Sequence, residues 1–235
     1  TYLKENNKVA FVNADDTLQF DLTKKLERIT FGTKENVDYP FQVNENDTGH
    51  CPEIRYLGTS FQPKLIGNYN AHNVSAAIAI GLKFGVSLPE IKKGIECYKA
   101  DNNRSQVIKL NGHQIILDAY NANPSSMEAA LLNFSKVRGK KAVILGDMFE
   151  LGNESLKEHL RVAELVQKLK FQHVYLIGKN FSQIDFKVGK EFARFETREL
   201  AEEFFKKNPI TEKCILIKGS RGMALEKILE VFNEK

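Results

Sequence analysis

The chain of 235 residues is long enough for one large domain or two ordinary ones, and its 42% hydrophobic and 27% charged residues are those of a soluble globular protein. A net charge of +4, with Lys and Arg scattered among Glu and Asp, argues against a dedicated nucleic-acid surface, which gathers its basic residues. No apolar run is long enough to span a bilayer, no signal-peptide pattern opens the chain, and Cys51, Cys97 and Cys214 form no Cys-x-x-Cys pair, so free thiols in a reducing cytoplasm are expected.

In "KVAFVNADDTL", residues 9–12 predict a short strand that turns at Asn13 into a helix with Asp15 and Asp16 in its first turn, where the positive end of the helix dipole favours acid. Between 27 and 66, "RITFG", "YPFQV", "EIRYLG" and "PKLIG" are punctuated by Gly, Asn, Asp and Pro and predict a small antiparallel region or sheet edge. "NYNAHNVSAAIAIGLKFG" reads as a helix capped by Asn68 or Asn70, with Val74 and Ile78 on one face and Ile80 and Phe84 on another. "SLPEIKKGIECY" reads as a second helix, capped by Ser87 with Pro89 in its first turn. The polar, aperiodic "KADNNRS" is the expected linker, and the boundary near Arg104 divides domain 1–104 from domain 105–235.

Beyond it the pattern becomes regular. "VIKLNGHQIIL" predicts a hairpin turning at Asn111-Gly112, a pair suited to type I′ geometry. Strands are expected at 114–117, 142–145, 174–177, 193–195 and 214–217, with helices at 124–137, 155–170, around 180–185, 197–207 and 221–233. Apolar runs such as "KAVILG" and "CILIKG" suit central strands buried on both faces. Their alternation with helices predicts an α/β fold with a doubly wound, mostly parallel sheet.

Ligands of such sheets bind at the carboxyl ends of strands. Here those ends read "DAYNANPSS", "GDMFELG", "GKN" and "KGSRG", so four strands deliver Gly or polar groups to one rim. Asp118 suits a sugar hydroxyl, or equally a turn. Asn123 before Pro124 suits an N-cap, with Ser125 and Glu128 a competing capping box, whereas Asn121 has no such structural duty. Lys218 and Arg221 flank a Gly-flexed turn suited to a phosphate or carboxylate, the alternative being two solvated cations. Asp147 and Glu150 could orient an amine, or Gly146 and Gly152 simply shape their loop. His159 is expected to be solvated on a helix surface, with Glu154 or Glu158 in reach, and His72 carries no weight alone. His50, His113 and His173 show no metal-like spacing, and no nucleophile elbow is present.

No Gly-x-x-x-x-Gly-Lys-Ser/Thr loop and no Gly-x-Gly-x-x-Gly turn occurs. Either the ligand is not a nucleotide, or the phosphate-gripping loop lies in other sequence. The chain begins at Thr1 instead of Met, as expected of a piece of a longer protein.

Four stretches resemble the ATP-dependent Mur ligases of peptidoglycan synthesis: "VNADDTL", "GNYNAHNVSAA", "NNRSQ…ILDAYNANPSSM", and "LGDMFELG…H" with "IKGSRGMALE". They span nearly the whole chain in the family's order, and the third and last are specific to its D-alanyl-D-alanine-adding branch. The resemblance implies the tail of a central ATPase domain followed by a complete C-terminal Rossmann-like domain, with the phosphate loop and the Mg2+ ligands upstream. It places Asn70 and Asn73 against adenine, although Tyr69 stands where many members carry His. It gives Arg104 to the ATP phosphates as the catalytic hinge arginine, and Asp118 to the ribose hydroxyls. Lys218 and Ser220 fall beside the peptide and amino-acid substrates, and Asn121 and Asn123 on the D-alanyl-D-alanine side. The implied reaction joins UDP-N-acetylmuramoyl-tripeptide to D-alanyl-D-alanine through an acyl phosphate. The expected protein is a cytoplasmic monomer, and the chain alone, lacking the phosphate loop, is expected to be inactive. Another ligase of the superfamily, such as a folylpolyglutamate synthase, and a non-catalytic small-peptide-binding module are the alternatives.

Overall fold

The computed structural model describes residues 2–6, 8–44, 51–187 and 189–233, and the chain divides into two units, Thr1–Lys99 and Ala100–Lys235. Arg104 therefore belongs to the second unit.

The first unit opens with a single helical turn, α1 (Tyr2–Glu5), followed by strand β1 (Ala10–Asn13) and helix α2 (Thr17–Leu22). Asp15 and Asp16 lie ahead of α2 instead of inside its first turn. Asp16 is the N-cap and accepts from Gln19 N at 2.9 Å, while Asp15 reaches across to Thr33 N at 2.9 Å. Short polar side chains compete well for such orphan N–H groups, which moves them from the turn to the cap. Strands β2 (Arg28–Gly32) and β3 (Tyr39–Pro40) extend β1 as a parallel sheet, whereas β4 (Gln42–Asn44), β5 (Glu53–Tyr56) and β6 (Thr59–Phe61) form an antiparallel meander. The expected antiparallel region is thus only half of the β content here, and "PKLIG" is largely irregular.

Helix α3 (Asn70–Lys83) buries Val74 and Ile78 and exposes Ile80 and Phe84. Neither expected asparagine caps it: Tyr69 occupies the N-cap, and Asn70 lies inside the first turn with its amide donating back to Ile66 O at 2.6 Å. Helix α4 (Leu88–Cys97) starts as expected, from Ser87 in a capping box with Glu90. Phe31, Phe41, Ile54, Phe61, Val74 and Ile78 form the core of this unit.

The second unit is a six-stranded sheet in the order β11-β10-β9-β12-β8-β7. Its strands are β7 (Gln106–Leu110), β8 (His113–Asp118), β9 (Lys141–Gly146), β10 (His173–Ile177), β11 (Phe192–Phe195) and β12 (Cys214–Lys218), parallel except for the β7–β8 hairpin. Asn111 and Gly112 both take positive φ at its turn, the type I′ requirement. Helices α5 (Pro124–Ser135), α6 (Ser155–Leu169) and α7 (Lys179–Gln183) pack in succession on one face. The other face, with Ile115, Leu117, Ile144, Ile215 and Ile217, is covered by α8 (Arg198–Lys207) and the final segment through Phe205, Leu225, Ile228 and Phe232. Burial on both faces explains why these strands read as unbroken apolar runs.

The last element departs from the expected helix over 221–233. Two 3₁₀ segments, Arg221–Met223 and Leu225–Phe232, meet at Ala224, which takes the left-handed φ of 48°. Arg198 donates to Ala224 O at 3.1 Å and fixes that break. Among the described residues no helix is long and apolar enough to cross a membrane, and all three cysteines are free thiols.

Candidate functional site

The parallel pairing of β8 with β12 sets Asp118 opposite Lys218 at the carboxyl rim. Lys218 Nζ donates to Asp118 Oδ2 at 2.6 Å and to Asn121 O at 3.3 Å, and the lysine side chain is only 2% exposed. Lys218 is therefore neither a solvated cation nor an open anion ligand. It is spent on holding the Asp118 carboxylate and the turn behind it. Asp118 Oδ1 accepts from Ser105 N at 3.1 Å, yet its side chain keeps 16% exposure, so the carboxylate is fixed and still faces the rim.

The next two strand ends are clamped together. Ser220 N donates to Asp147 O at 3.1 Å, and Phe149 N donates to Ser220 Oγ at 2.9 Å. Ser220 is thus a buried rivet between the loops after β12 and β9. Gly219 and Gly146 allow this approach, since a Cβ on Gly219 would lie 3.0 Å from Gly146 Cα and 2.8 Å from Leu225 Cδ1. Asp147 does not await an amine. Its two oxygens accept from Asn180 N at 2.9 Å and Phe181 N at 3.1 Å, at the start of α7.

His159 corrects the sequence reading most sharply, because it is fully buried instead of solvated. Nδ1 donates to Ser155 O at 2.7 Å and Nε2 accepts from Met148 N at 3.0 Å, the pattern of a neutral ring. The 3.5 Å separation from Asp147 Oδ1 is consequently a contact and not an ion pair. Glu154 pairs with Lys157 instead. His50 lies outside the described residues.

Arg104 sits in a strained stretch. Asn103 and Ser105 take φ of 59° and 48°, and both neighbours are tied to the end of β8, by Tyr120 N to Asn103 O at 3.1 Å and by the Ser105–Asp118 bond. The Arg104 guanidinium lies over the Tyr120 ring, 3.8 Å from its centroid, and Arg221 approaches the same ring at 5.2 Å. Asn123 caps α5 through Ser126 N at 2.8 Å, the duty its place before Pro124 suggested. Asn121 is exposed, and its Oδ1 accepts from the adjacent Ala122 N at 2.9 Å. Arg104, Asp118, Asn121, Lys218 and Ser220 therefore gather at one rim of the second unit. Tyr120 is the member the sequence reading passed over. Its neighbours in space are 16 and about 100 residues away in sequence, so no local pattern marks it.

Asn70 and Asn73 belong to the first unit. Asn73 Nδ2 donates to Asn70 Oδ1 at 3.0 Å, which leaves the exposed Asn73 as the outward member of the pair. In the same unit, His72 Nδ1 accepts from Asn13 Nδ2 at 3.3 Å. Among the described residues no group of three or more His, Cys, Asp or Glu could hold a metal ion.

A family model described as the Mur ligase, glutamate ligase domain, matches residues 103–221, which run from the residue before Arg104 through Arg221. The chain belongs to the Mur ligase family. A UDP-N-acetylmuramoyl-tripeptide–D-alanyl-D-alanine ligase of Bacillus subtilis is 32% identical over 97% of this chain and 51% of its own length. The Escherichia coli protein of the same name is 35% identical over 72% of the chain and 38% of its own length. This Mur ligase chain thus spans about half the length of the curated relatives it matches, or less. Among solved structures, MurF from Acinetobacter baumannii superposes with a TM-score of 0.78 at 25% identity, covering 97% of this chain and 52% of that one. A MurF ligase from Thermotoga maritima in complex with ADP shares the fold, with a TM-score of 0.75 at 21% identity.

Proposed function

We propose that this chain is the carboxyl-terminal half of an ATP-dependent ligase that joins D-alanyl-D-alanine to UDP-N-acetylmuramoyl-tripeptide, and that its carboxyl rim lies against the nucleotide and the incoming amine. The observation that carries this is Asp118, a carboxylate buried far enough to be fixed and exposed far enough to accept. Lys218 and Ser105 N orient it. A preoriented acceptor of this kind suits a pair of vicinal ribose hydroxyls. The boundary near Arg104 belongs to this proposal, with the first part as the tail of the ATPase domain.

In the reaction, a tripeptide carboxylate oxygen attacks the γ-phosphorus of ATP and ADP leaves. The amine then attacks the acyl carbon and phosphate leaves. Most of the catalysis in such chemistry is positioning and charge stabilisation. Mg2+ would neutralise phosphate charge, and its ligands are assigned to sequence outside this chain. Within the chain, Arg104 supplies a fixed guanidinium for the phosphates, and Asn73, backed by Asn70, supplies an amide for adenine. Asn121 presents its amide to the dipeptide, whereas Asn123, Lys218 and Ser220 shape that side of the site by holding its loops.

The test is calorimetry of this chain with ADP, together with pentapeptide synthesis by the complete protein. ADP should bind the chain, Asp118→Asn should weaken it about tenfold, and the complete protein should form pentapeptide from ATP, tripeptide and D-alanyl-D-alanine. Coupling of glutamate to a folate instead would replace this reading with the folylpolyglutamate synthase alternative. Tight dipeptide binding by the chain with no ADP binding would favour a peptide-binding module.

A further inference from the structure

With Lys218 taken by Asp118, the rim still holds two cations without a carboxylate partner among the described residues, Arg104 and Arg221. Both are exposed, and both lie against the one Tyr120 ring. Like charges left to themselves on a wet surface move apart. These two are held by backbone: Arg104 between the anchored, left-handed Asn103 and Ser105, and Arg221 directly after Ser220, whose N–H and Oγ are both bonded to the 147–149 loop. The ring offers each guanidinium a negative face and leaves its N–H edges free. Planar guanidinium forks so presented match the paired oxygens of a phosphate or a carboxylate.

We propose that Arg221 is a second anion-gripping residue of the rim, that it takes the same oxyanion as Arg104, and that Tyr120 is the positioning residue holding both guanidiniums before the ligand arrives. This rests on the nucleotide and amino-acid reading of the rim given above. The oxyanion is a nucleotide phosphate or the free carboxylate of the acceptor dipeptide, and the arms of the test separate these sources.

Calorimetry of the chain with ADP, inorganic pyrophosphate and D-alanyl-D-alanine is the experiment, on Arg221→Ala, Arg221→Lys, Tyr120→Phe and Tyr120→Leu. Lys213→Ala, which removes an exposed cation from the opposite rim, is the control for general charge. Arg221→Ala should weaken the seated anion about tenfold, and Arg221→Lys should restore only part of it because the fork is lost. Tyr120→Phe keeps the ring and should bind as the parent does, whereas Tyr120→Leu should lose about threefold or more. Lys213→Ala should change nothing. Losses confined to ADP and pyrophosphate identify a phosphate, and losses confined to the dipeptide identify its carboxylate. The proposal is overturned if Arg221→Ala and Tyr120→Leu bind all three probes like the parent, or if none of the three binds. Pyrophosphate binding that depends on Arg221 in a chain indifferent to ADP would keep the seat and sink the ligase reading. Pentapeptide synthesis by the complete protein with unchanged Arg221→Ala binding would do the reverse.

Discussion

At the carboxyl ends of the second unit's strands, Asp147, Lys218 and Ser220 are buried and hydrogen-bonded, and the exposed Arg104 and Arg221 stand on backbone anchored to those strand ends. At the amino ends the arrangement is inverted. There a cleft of about 700 Å3 is lined by Lys109, Arg138, Lys140 and Lys213, all exposed, beside His113 and Cys214. At that end His113 Nδ1 donates to Glu212 O at 2.8 Å, and the exposed His173 places its Nδ1 2.6 Å from Oε1 of the buried Glu212. Lys141, next in line, is spent on Ser135 O and Val137 O at the end of α5. This cleft and its exposed cations thus lie at the end of the sheet opposite the rim of Asp118 and Lys218. What separates the two ends is whether charged groups are held in place by the backbone, and neither volume nor charge measures that.

Breaking the carboxyl rim should have the largest effect. Asp118→Ala strands the buried Lys218 ammonium and should cost about 3 kcal/mol in urea denaturation. A cost under about 1 kcal/mol would mean that the pair does not organise the rim. His159→Ala comes next: it opens a cavity and leaves Met148 N–H without its acceptor, for about 2 kcal/mol. Hydrogen exchange should speed up at Met148 and Phe149, and not at the β7–β8 turn.

The amino end can be probed by pH. Burial pushes the Tyr175 phenol up to about 12, with the Glu212 charge adding to it. A phenol whose pKa rises on folding stabilises the neutral form. That stability is therefore complete below the ordinary value of 10.0 and is lost as pH rises through 12. Melting temperature should fall over this window, and Tyr175→Phe should flatten the fall. Cys51, pushed up to about 12 by burial, adds a loss of the same sign from the first unit, starting from 9.0. The smallest effect belongs to the cleft's cations. Lys109→Ala and Lys213→Ala should each stay within about 0.5 kcal/mol of the parent.

The sheet of the second unit was legible because each strand is an apolar run closed by Gly or a polar cluster, a signal that burial on both faces enforces. The last segment was not. Its apolar spacing is that of a helix, and it breaks at the left-handed Ala224, whose carbonyl is held by Arg198 from an element 26 residues upstream. Likewise "VNADDTL" marked a strand end correctly, but the acids stand outside the helix, Asp16 through its cap bond to Gln19 N and Asp15 through its tertiary contact with Thr33. In the rim, Asp118 was legible as the polar residue that closes an apolar run, and it is the last residue of β8. The fates of Lys218 and His159 were not, because a lysine after a strand and a histidine among glutamates look solvated until a partner about 100 residues away, or a neighbouring loop, is brought to them.

Strand β12 lies between β8 and β9, although it is the last of the six to be made. While the polypeptide is still emerging from a ribosome, the β7–β8 hairpin and the β9–β10–β11 layer have no shared neighbour, and Asp118 waits 100 residues for its lysine. Closure of the sheet and assembly of the rim are therefore one event that waits for β12. A chain truncated ahead of Cys214 would be two separate half-sheets with raw edges, prone to pairing with other chains. The pairing of Asp118 with Lys218 is thereby withheld from every copy that lacks β12.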